Sequence, residues 1–418
     1  MDNLSASTRM IAAAPPASKE RAYEDIVPYY AELCALSELR KRPGFGVPLQ
    51  SGMGGHLLLY LNGVRVNRSS GYPVLEVSPP GPPAGREGAA LSANSHYRNA
   101  NWVAVEDRDF IFQGKLAPGE ALTRDTYVQT QEDARARGLL DGIEFHPRFF
   151  RDKPPGMSVE AFKYEISVAT DYACRFGRDC YRARVPLDAA RMRRVVDYLN
   201  ALNEPYRHGQ RIYHWRLFND NCVHMAHNAL AAAGFWPAWP TGQFAPLAAF
   251  RFPVPKNAMV DLALRANDLP IADAEALFAD TEARRALIET GTLPTGPAGL
   301  TSAAPAIAEN NIYDVGKLRL IFYDNPFWGR YRRWFRRILS EPRYTDLQAN
   351  LRYFAQAYRA ASHSLRRGAG WTGERALFRD GYEILIAAET AKVARWQARL
   401  DAMAETRDAI VLPTRNVA

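Results

Sequence analysis

Cysteine is scarce in this chain. Four occur in 418 residues, at positions 34, 174, 180 and 222. That is too few for a disulfide framework and fits a reducing compartment. Long apolar runs are missing too, since no stretch approaches the ~20 residues needed to span a bilayer. Met10-Ile11-Ala12-Ala13-Ala14-Pro15-Pro16 is too short and too proline-broken for a signal-peptide core. A cytoplasmic protein is therefore expected, with signal-less export left open. There is no phosphate-binding loop, zinc-finger spacing, recognition helix or RNA-binding motif, so no nucleotide and no nucleic acid partner is expected. Acidic residues are in the minority: 45 Asp and Glu face 53 Lys and Arg, for a net charge of +8. Such a balance favours an acidic partner, such as phospholipid head groups or a phosphorylated carrier. With 47% hydrophobic and 11% aromatic residues, the chain can bury a core and divide into two or more domains.

The stretch Asn219-Asp220-Asn221-Cys222 places three cap-type residues before a cysteine. Their side chains suit the free N–H groups of a first helical turn. Gly234 suits the position after the last turn, and Pro237 prevents continuation. Between them Cys222, Ala226, Ala229 and Ala233 share one small-residue face, suited to close packing on a sheet. A thiol at a helix start gains from the dipole and the first N–H groups, which favour thiolate and can hold an oxyanion. A buried cysteine that only fills space is the competing reading. Cys222, His224 and His227 fall within six residues, but residues two apart on a helix splay, so no metal is expected. His224 and His227 are read on the outer face, meeting solvent or a head group.

A second stretch runs Gly54-Gly55-His56-Leu57-Leu58-Leu59-Tyr60-Leu61-Asn62-Gly63-Val64-Arg65-Val66-Asn67. Asn-Gly between apolar, β-favouring runs predicts a two-residue hairpin turn. It would pair Leu61 with Val64 and Leu58 with Asn67, putting Asn67 diagonal to His56 on one face. His56 is then a candidate base and Asn67 its orienter. A histidine satisfied by backbone or water is the alternative.

A cysteine opening a helix and a histidine on a strand with a polar orienter form a papain-like arrangement. Here the histidine comes first. In that order the two stretches resemble the circularly permuted branch of the NlpC-type papain-like superfamily, which includes lecithin:retinol acyltransferase and its phospholipase/acyltransferase relatives. Asn221-Cys222-Val223-His224-Met225 looks like that group's cysteine element, and Gly55–Gly63 like its histidine strand. Val223 stands where those relatives carry an acidic residue, and their third polar member is a histidine. Some bacterial effector acyltransferases of this type have long spacers and an acidic third member, so Glu76, Glu106 and Asp107 rival Asn67. The resemblance implies an acyl-thioester intermediate, a lipid-derived acyl donor (phospholipid, acyl carrier or acyl-CoA), an amine or hydroxyl acceptor and no cofactor. A cysteine peptidase or amidase of the NlpC type and a non-catalytic papain-like scaffold are the alternatives.

Residues 1–19 are expected to be disordered. A permuted papain-like α+β domain with an antiparallel sheet is expected over 20–256, and a mainly helical region over 257–418. Pro28–Arg40 reads as a helix on Leu33, Leu36 and Leu39, Gly71–Val77 and Asn101–Phe112 as strands, and Ser78–Gly88 as a loop. His96 reads as a surface histidine, with substrate contact as the alternative. Thr123–Arg137 and Ser158–Phe176 read as helices, Tyr181–Leu187 as a strand, and Asp188 as the cap of another helix. Phe235–Pro255 reads as a packed connector and Leu293–Asn310 as a linker. In 327–339, five arginines flank Trp328, Tyr331, Phe335 and Ile338. That pattern fits either peripheral membrane contact or a helix packed on its own domain. Arg343–Leu365 and Arg375–Ala404 read as a pair of long helices.

Overall fold

The computed structural model describes residues 16–50, 54–79, 87–241, 254–316, 318, 330–365 and 370–411. The chain is a mixed α+β protein built on an antiparallel sheet. Its strands are β1 (Tyr30–Leu36), β2 (Leu39–Lys41), β3 (His56–Asn62), β4 (Val64–Asn67), β5 (Val74–Val77), β6 (Gly88–Ser92), β7 (Val103–Glu106), β8 (Cys180–Pro186), β9 (Leu300–Ala304) and β10 (Tyr313–Val315). Six of them form the main sheet in the order β7-β6-β3-β1-β8-β9, while β10-β2 and β4-β5 make two separate ribbons.

The two central strands are buried along their whole length. Alternation divides their side chains between two cores. Tyr30, Cys34, Leu36, Leu58 and Tyr60 face one, with Phe110, Tyr127, Phe162 and Tyr172. Ala31, Leu33, Ala35, Leu57, Leu59 and Leu61 face the other. The second core is covered by the helices Ala189–Arg207, Cys222–Ala232 and Pro255–Asn267. Strand β1 corrects the helix expected over Pro28–Arg40. Its leucines recur at three-residue spacing, but a strand covered on both faces is apolar throughout, and packing overrides the helical propensity of its Ala, Glu and Leu.

One charged residue shares this burial. Glu32 is fully buried on β1 and receives Arg108 Nη2 at 2.8 Å and Arg184 Nε at 2.8 Å. Glu20 joins them, at 3.0 Å from Arg108 and 2.7 Å from Arg184. Burial would raise the Glu32 pKa, but Arg108, Arg184 and Arg182 outweigh it and hold the carboxylate well below its usual range.

Several boundaries differ from expectation. A helix begins at Pro16, within the stretch expected to be disordered, and residues 1–15 lie outside the described residues. Strand β9, expected as linker, hydrogen-bonds to β8, and the helix Pro255–Asn267 packs on β1 and β8. The sheet and its cover thus continue past the division expected at 256. In Asn101–Phe112 only Val103–Glu106 is strand, and a helix, Arg108–Gln113, follows. The helices at Arg124–Ala136 and Ala189–Arg207 stand as expected, capped by Thr123 and Asp188. Leu347–Leu365 and Glu374–Val411 pack together around Phe354, Tyr358, Phe378 and Tyr382. No described helix is long and apolar enough to cross a membrane.

Of the basic segment, the helix Arg330–Ser340 is described, and Trp328 lies outside the described residues. Its aromatic side turns inward: Tyr331 donates to Asp261 at 3.0 Å, and Phe335 meets the Tyr181 ring edge-on. Arg332, Arg333 and Arg336 face solvent.

Candidate active site

The cysteine helix forms as its sequence suggests. Asn221 is the cap, and its Oδ1 accepts the N–H groups of Val223 at 2.8 Å and His224 at 3.1 Å. Gly234 follows the last turn with φ +84°, where a side chain would be strained. Cys222, Ala226, Ala229 and Ala233 are all buried, and the helix lies against β3. His224 and His227 are not on an outer face: both are buried. The His224 ring sits edge-on to Trp239, and His227 stacks on Trp236 and Trp239 at 4.5 and 3.7 Å. The apolar residues downstream of the helix fold back and cover it.

His56 opens β3 beside the end of β1. The approach requires Gly55, because a Cβ there, at φ +78°, would meet the Leu36 carbonyl oxygen at 2.0 Å. This brings His56 and Cys222 to the wall of one cavity of about 450 Å³, shared with Asn221, His96, Arg178 and Trp215. The Leu57 N–H, next in the chain to His56, acts on the Cys222 sulfur. No hydrogen bond links the thiol to the imidazole among the described contacts.

The orienter of His56 is not Asn67. His56 Nε2 lies 2.9 Å from Ser92 Oγ, and Ser92 Oγ donates to Asp171 Oδ1 at 2.6 Å. The serine has one proton, and the carboxylate takes it. His56 Nε2 must therefore donate, leaving Nδ1 with its lone pair. Asp171 also accepts from Asn94 Nδ2 at 3.1 Å and stands 3.4 Å from His96 Nε2. Burial would raise the Asp171 pKa, but His96, Ser92 and His56 together hold it well below the usual carboxylate range. His96 is buried against Tyr97 and Phe145, which corrects its reading as a surface residue.

Asn67 misses the site because the expected hairpin does not close on itself. β3 pairs with β1 and β6, while β4 leaves the Asn-Gly turn to pair with β5. Asn67 donates instead to Glu76 at 2.7 Å. The other rivals are also engaged elsewhere: Glu106 accepts from the Val66 N–H, and Asp107 caps the helix Arg108–Gln113. Ser92 was hidden because the loop expected over Ser78–Gly88 is followed by no assigned element before Asn101, although the Ala-Ala-Leu run of Gly88–Ser92 is a short strand signal. Asp171 was hidden inside the helix expected to reach Phe176. That helix stops at Ser167, and left-handed Ala169 (φ 59°) and Ala173 (φ 50°) fold Val168–Tyr172 into a tight turn that presents the carboxylate. The β-branched Val168 and Thr170 were the available hint.

The resting electrostatics also differ from expectation. Burial pushes the Cys222 thiol up to about 11, although the N–H groups of Leu57, Val223 and Cys222 and the charge of Arg178 oppose it. Burial, then Arg178, brings His56 down to about 3. The site thus rests as thiol and neutral imidazole, so burial overrides the advantage of the helix start. The cap Asn221 accepts the N–H groups of Val223 and His224, so of the first-turn N–H groups acting on the sulfur that of Cys222 is the one not held by the cap. No group of three or more His, Cys, Asp or Glu is arranged to hold a metal among the described residues. The four cysteines are free thiols, all buried.

Comparison with protein-family models, with curated proteins and with solved structures returns no match. The class that the fold defines is a mixed α+β protein with an antiparallel sheet, and the function rests on the site itself.

Proposed function

We propose that this protein is a cysteine-dependent acyltransferase or acyl hydrolase with a permuted papain-like catalytic core. The supporting observation is one cavity that carries a helix-start thiol and a histidine whose tautomer is fixed through Ser92 and Asp171. In this reading His56 Nδ1 takes the Cys222 proton as the sulfur attacks an acyl ester or thioester. The S–C bond forms, the bond to the leaving group breaks, and the leaving group takes the proton from His56. An amine, hydroxyl or water then attacks the acyl-thioester and restores the thiol. Lipid-derived acyl groups and the exposed Arg332, Arg333 and Arg336, which suit an anionic membrane surface, belong to the same proposal, as does a cytoplasmic site of action.

The test is to incubate the protein with long-chain acyl esters and acyl-thioesters and follow intact mass. The expected result is one acyl adduct on Cys222, released by hydroxylamine, absent in Cys222→Ala and slowed about 100-fold or more in His56→Ala. A second reading, a papain-like scaffold without catalysis, is favoured by the neutral and unlinked resting pair. Absence of any adduct, with Cys222 no more reactive than an ordinary thiol, would select it.

A further inference from the structure

Arg178 is among the most deeply buried large side chains, 2% exposed, and it lines the cavity that holds Cys222 and His56. Its Nε donates to the Ala169 carbonyl at 2.8 Å and its Nη1 to the Ser37 carbonyl at 2.6 Å. These bonds fix the guanidinium without meeting its charge, and it forms no direct ion pair with any described residue. A buried cation without a paired anion is costly and rare. The charged and titratable groups around it are Asp171, Cys174, Tyr313, Cys222 and His56. Asp171, the carboxylate among them, acts on Arg178 through space without pairing with it: its Oδ1 accepts from Ser92 and Asn94, and its Oδ2 stands 3.4 Å from His96 without a hydrogen bond. Cys174 and Tyr313 are neutral, since burial raises both.

We propose that Arg178 is an anion receptor inside the cavity, taking a carboxylate or phosphate carried by the substrate next to the carbon that Cys222 attacks. The inference rests on the reading of Cys222 as the nucleophile of this cavity and narrows its substrates to anionic ones. A guanidinium suits the role because its planar N–H groups match both oxyanions and because its charge, although burial brings Arg178 down to about 10, is retained through about pH 9. The charge also sits where His56, neutral in the resting site, supplies none.

The test uses the folded full-length protein and two alkylating probes of similar size, anionic iodoacetate and neutral iodoacetamide, with peptide mapping of Cys222. The rate ratio of the two probes is compared with that of N-acetylcysteine. The expected ratio at Cys222 exceeds that of the free thiol by ~10-fold or more and stays level from about pH 6 to about pH 9. Arg178→Gln should bring it to the free-thiol value, and Arg178→Lys should keep part of it. Protection of Cys222 from iodoacetamide by inorganic phosphate but not acetate assigns a phosphate ligand, and the reverse assigns a carboxylate. A wild-type ratio equal to that of the free thiol overturns the proposal. So does a ratio that collapses as the pH rises through about 6.5, because it would assign the charge to an imidazolium. Failure of both probes to reach Cys222 also overturns it. The wild-type series requires no variant to fold. A raised, level ratio without any acyl adduct would keep the anion receptor and reject acyl transfer.

Discussion

Two buried arginine sites lie on this sheet, and they are built differently. Around Glu32, two guanidinium groups meet two carboxylates at 2.7–3.0 Å. Arg108 also lies over the Tyr60 ring at 4.5 Å. Arg182 stands farther off, 4.0 Å from Glu32, and each of the three guanidinium groups has a carboxylate of the chain in reach. Arg178 is hydrogen-bonded to carbonyl oxygens, pairs directly with no carboxylate among the described residues, and lines a cavity. The first site is complete within the chain and serves the fold. The second, in the proposal made for Arg178, is completed by an anion that the substrate brings. The contrast gives a rule for reading such a molecule: completeness of pairing, more than burial, separates a structural charge from a working one.

The contrast can be attacked from its strong side first. Glu32→Ala leaves Arg108 and Arg184 without their shared carboxylate. It should lower unfolding free energy by about 3–5 kcal/mol, measured by denaturant titration. A loss below about 1 kcal/mol would show that the cluster is replaceable. Asp171→Asn tests the other site. The amide keeps one carbonyl acceptor but lacks the carboxylate's charge and its second acceptor oxygen, so its hold on the Ser92 proton weakens, and Cys222 acylation should slow by about 100-fold or more, with stability changing less than in Glu32→Ala. An unchanged acylation rate would remove Ser92 and Asp171 from the machinery.

Acid should separate the two sites in a milder way. Glu32 has a depressed pKa, so its contribution is whole above about pH 4, where the unfolded carboxylate ionises, and is lost as the pH falls below that. His56, held down to about 3, and His224, held down to about 4, stay neutral in the folded state while the unfolded chain protonates near pH 6.5. Stability should therefore start to fall below about pH 6.5, before the carboxylate phase. His56→Gln should reduce the early phase and Glu32→Gln the later one. One merged transition, unchanged by either substitution, would count against this assignment. The smallest effect is expected at Asn67, which is bonded to Glu76 and away from the cavity. Asn67→Ala should leave Cys222 alkylation within about twofold of wild type, and a larger slowing would restore Asn67 as the orienter.

Much of the site was legible where the signal is local. The cap Asn221, the small face through Ala233 and the stop at Gly234 are written in one short continuous stretch around Cys222, and that helix formed as read. His56 was legible as the first residue of a strand behind two glycines. Its partners were not, because they depend on which strands pair. An Asn-Gly turn specifies a reversal of the chain, but it cannot say whether the two arms will bond to each other. Here β6 takes the place beside β3 that β4 was expected to fill, and Ser92 arrives with it. The Asp171 turn rests on two alanines in left-handed conformations, which alanine gives no reason to expect. Strand β1 was misread for a related cause, since a strand covered on both faces has no alternation to display.

The place of β9 has a bearing on any attempt to divide the protein. Ser302 and its neighbours close the flank of β8. A chain ended near residue 256 would keep His56, Asp171, Arg178 and Cys222. It would also present Cys180–Pro186 as a bare edge, with a row of unpaired N–H and C=O groups open to another chain. Such a fragment should self-associate through that strand, and a failure of its Cys222 to react would then report aggregation and not the absence of a side chain from the cavity.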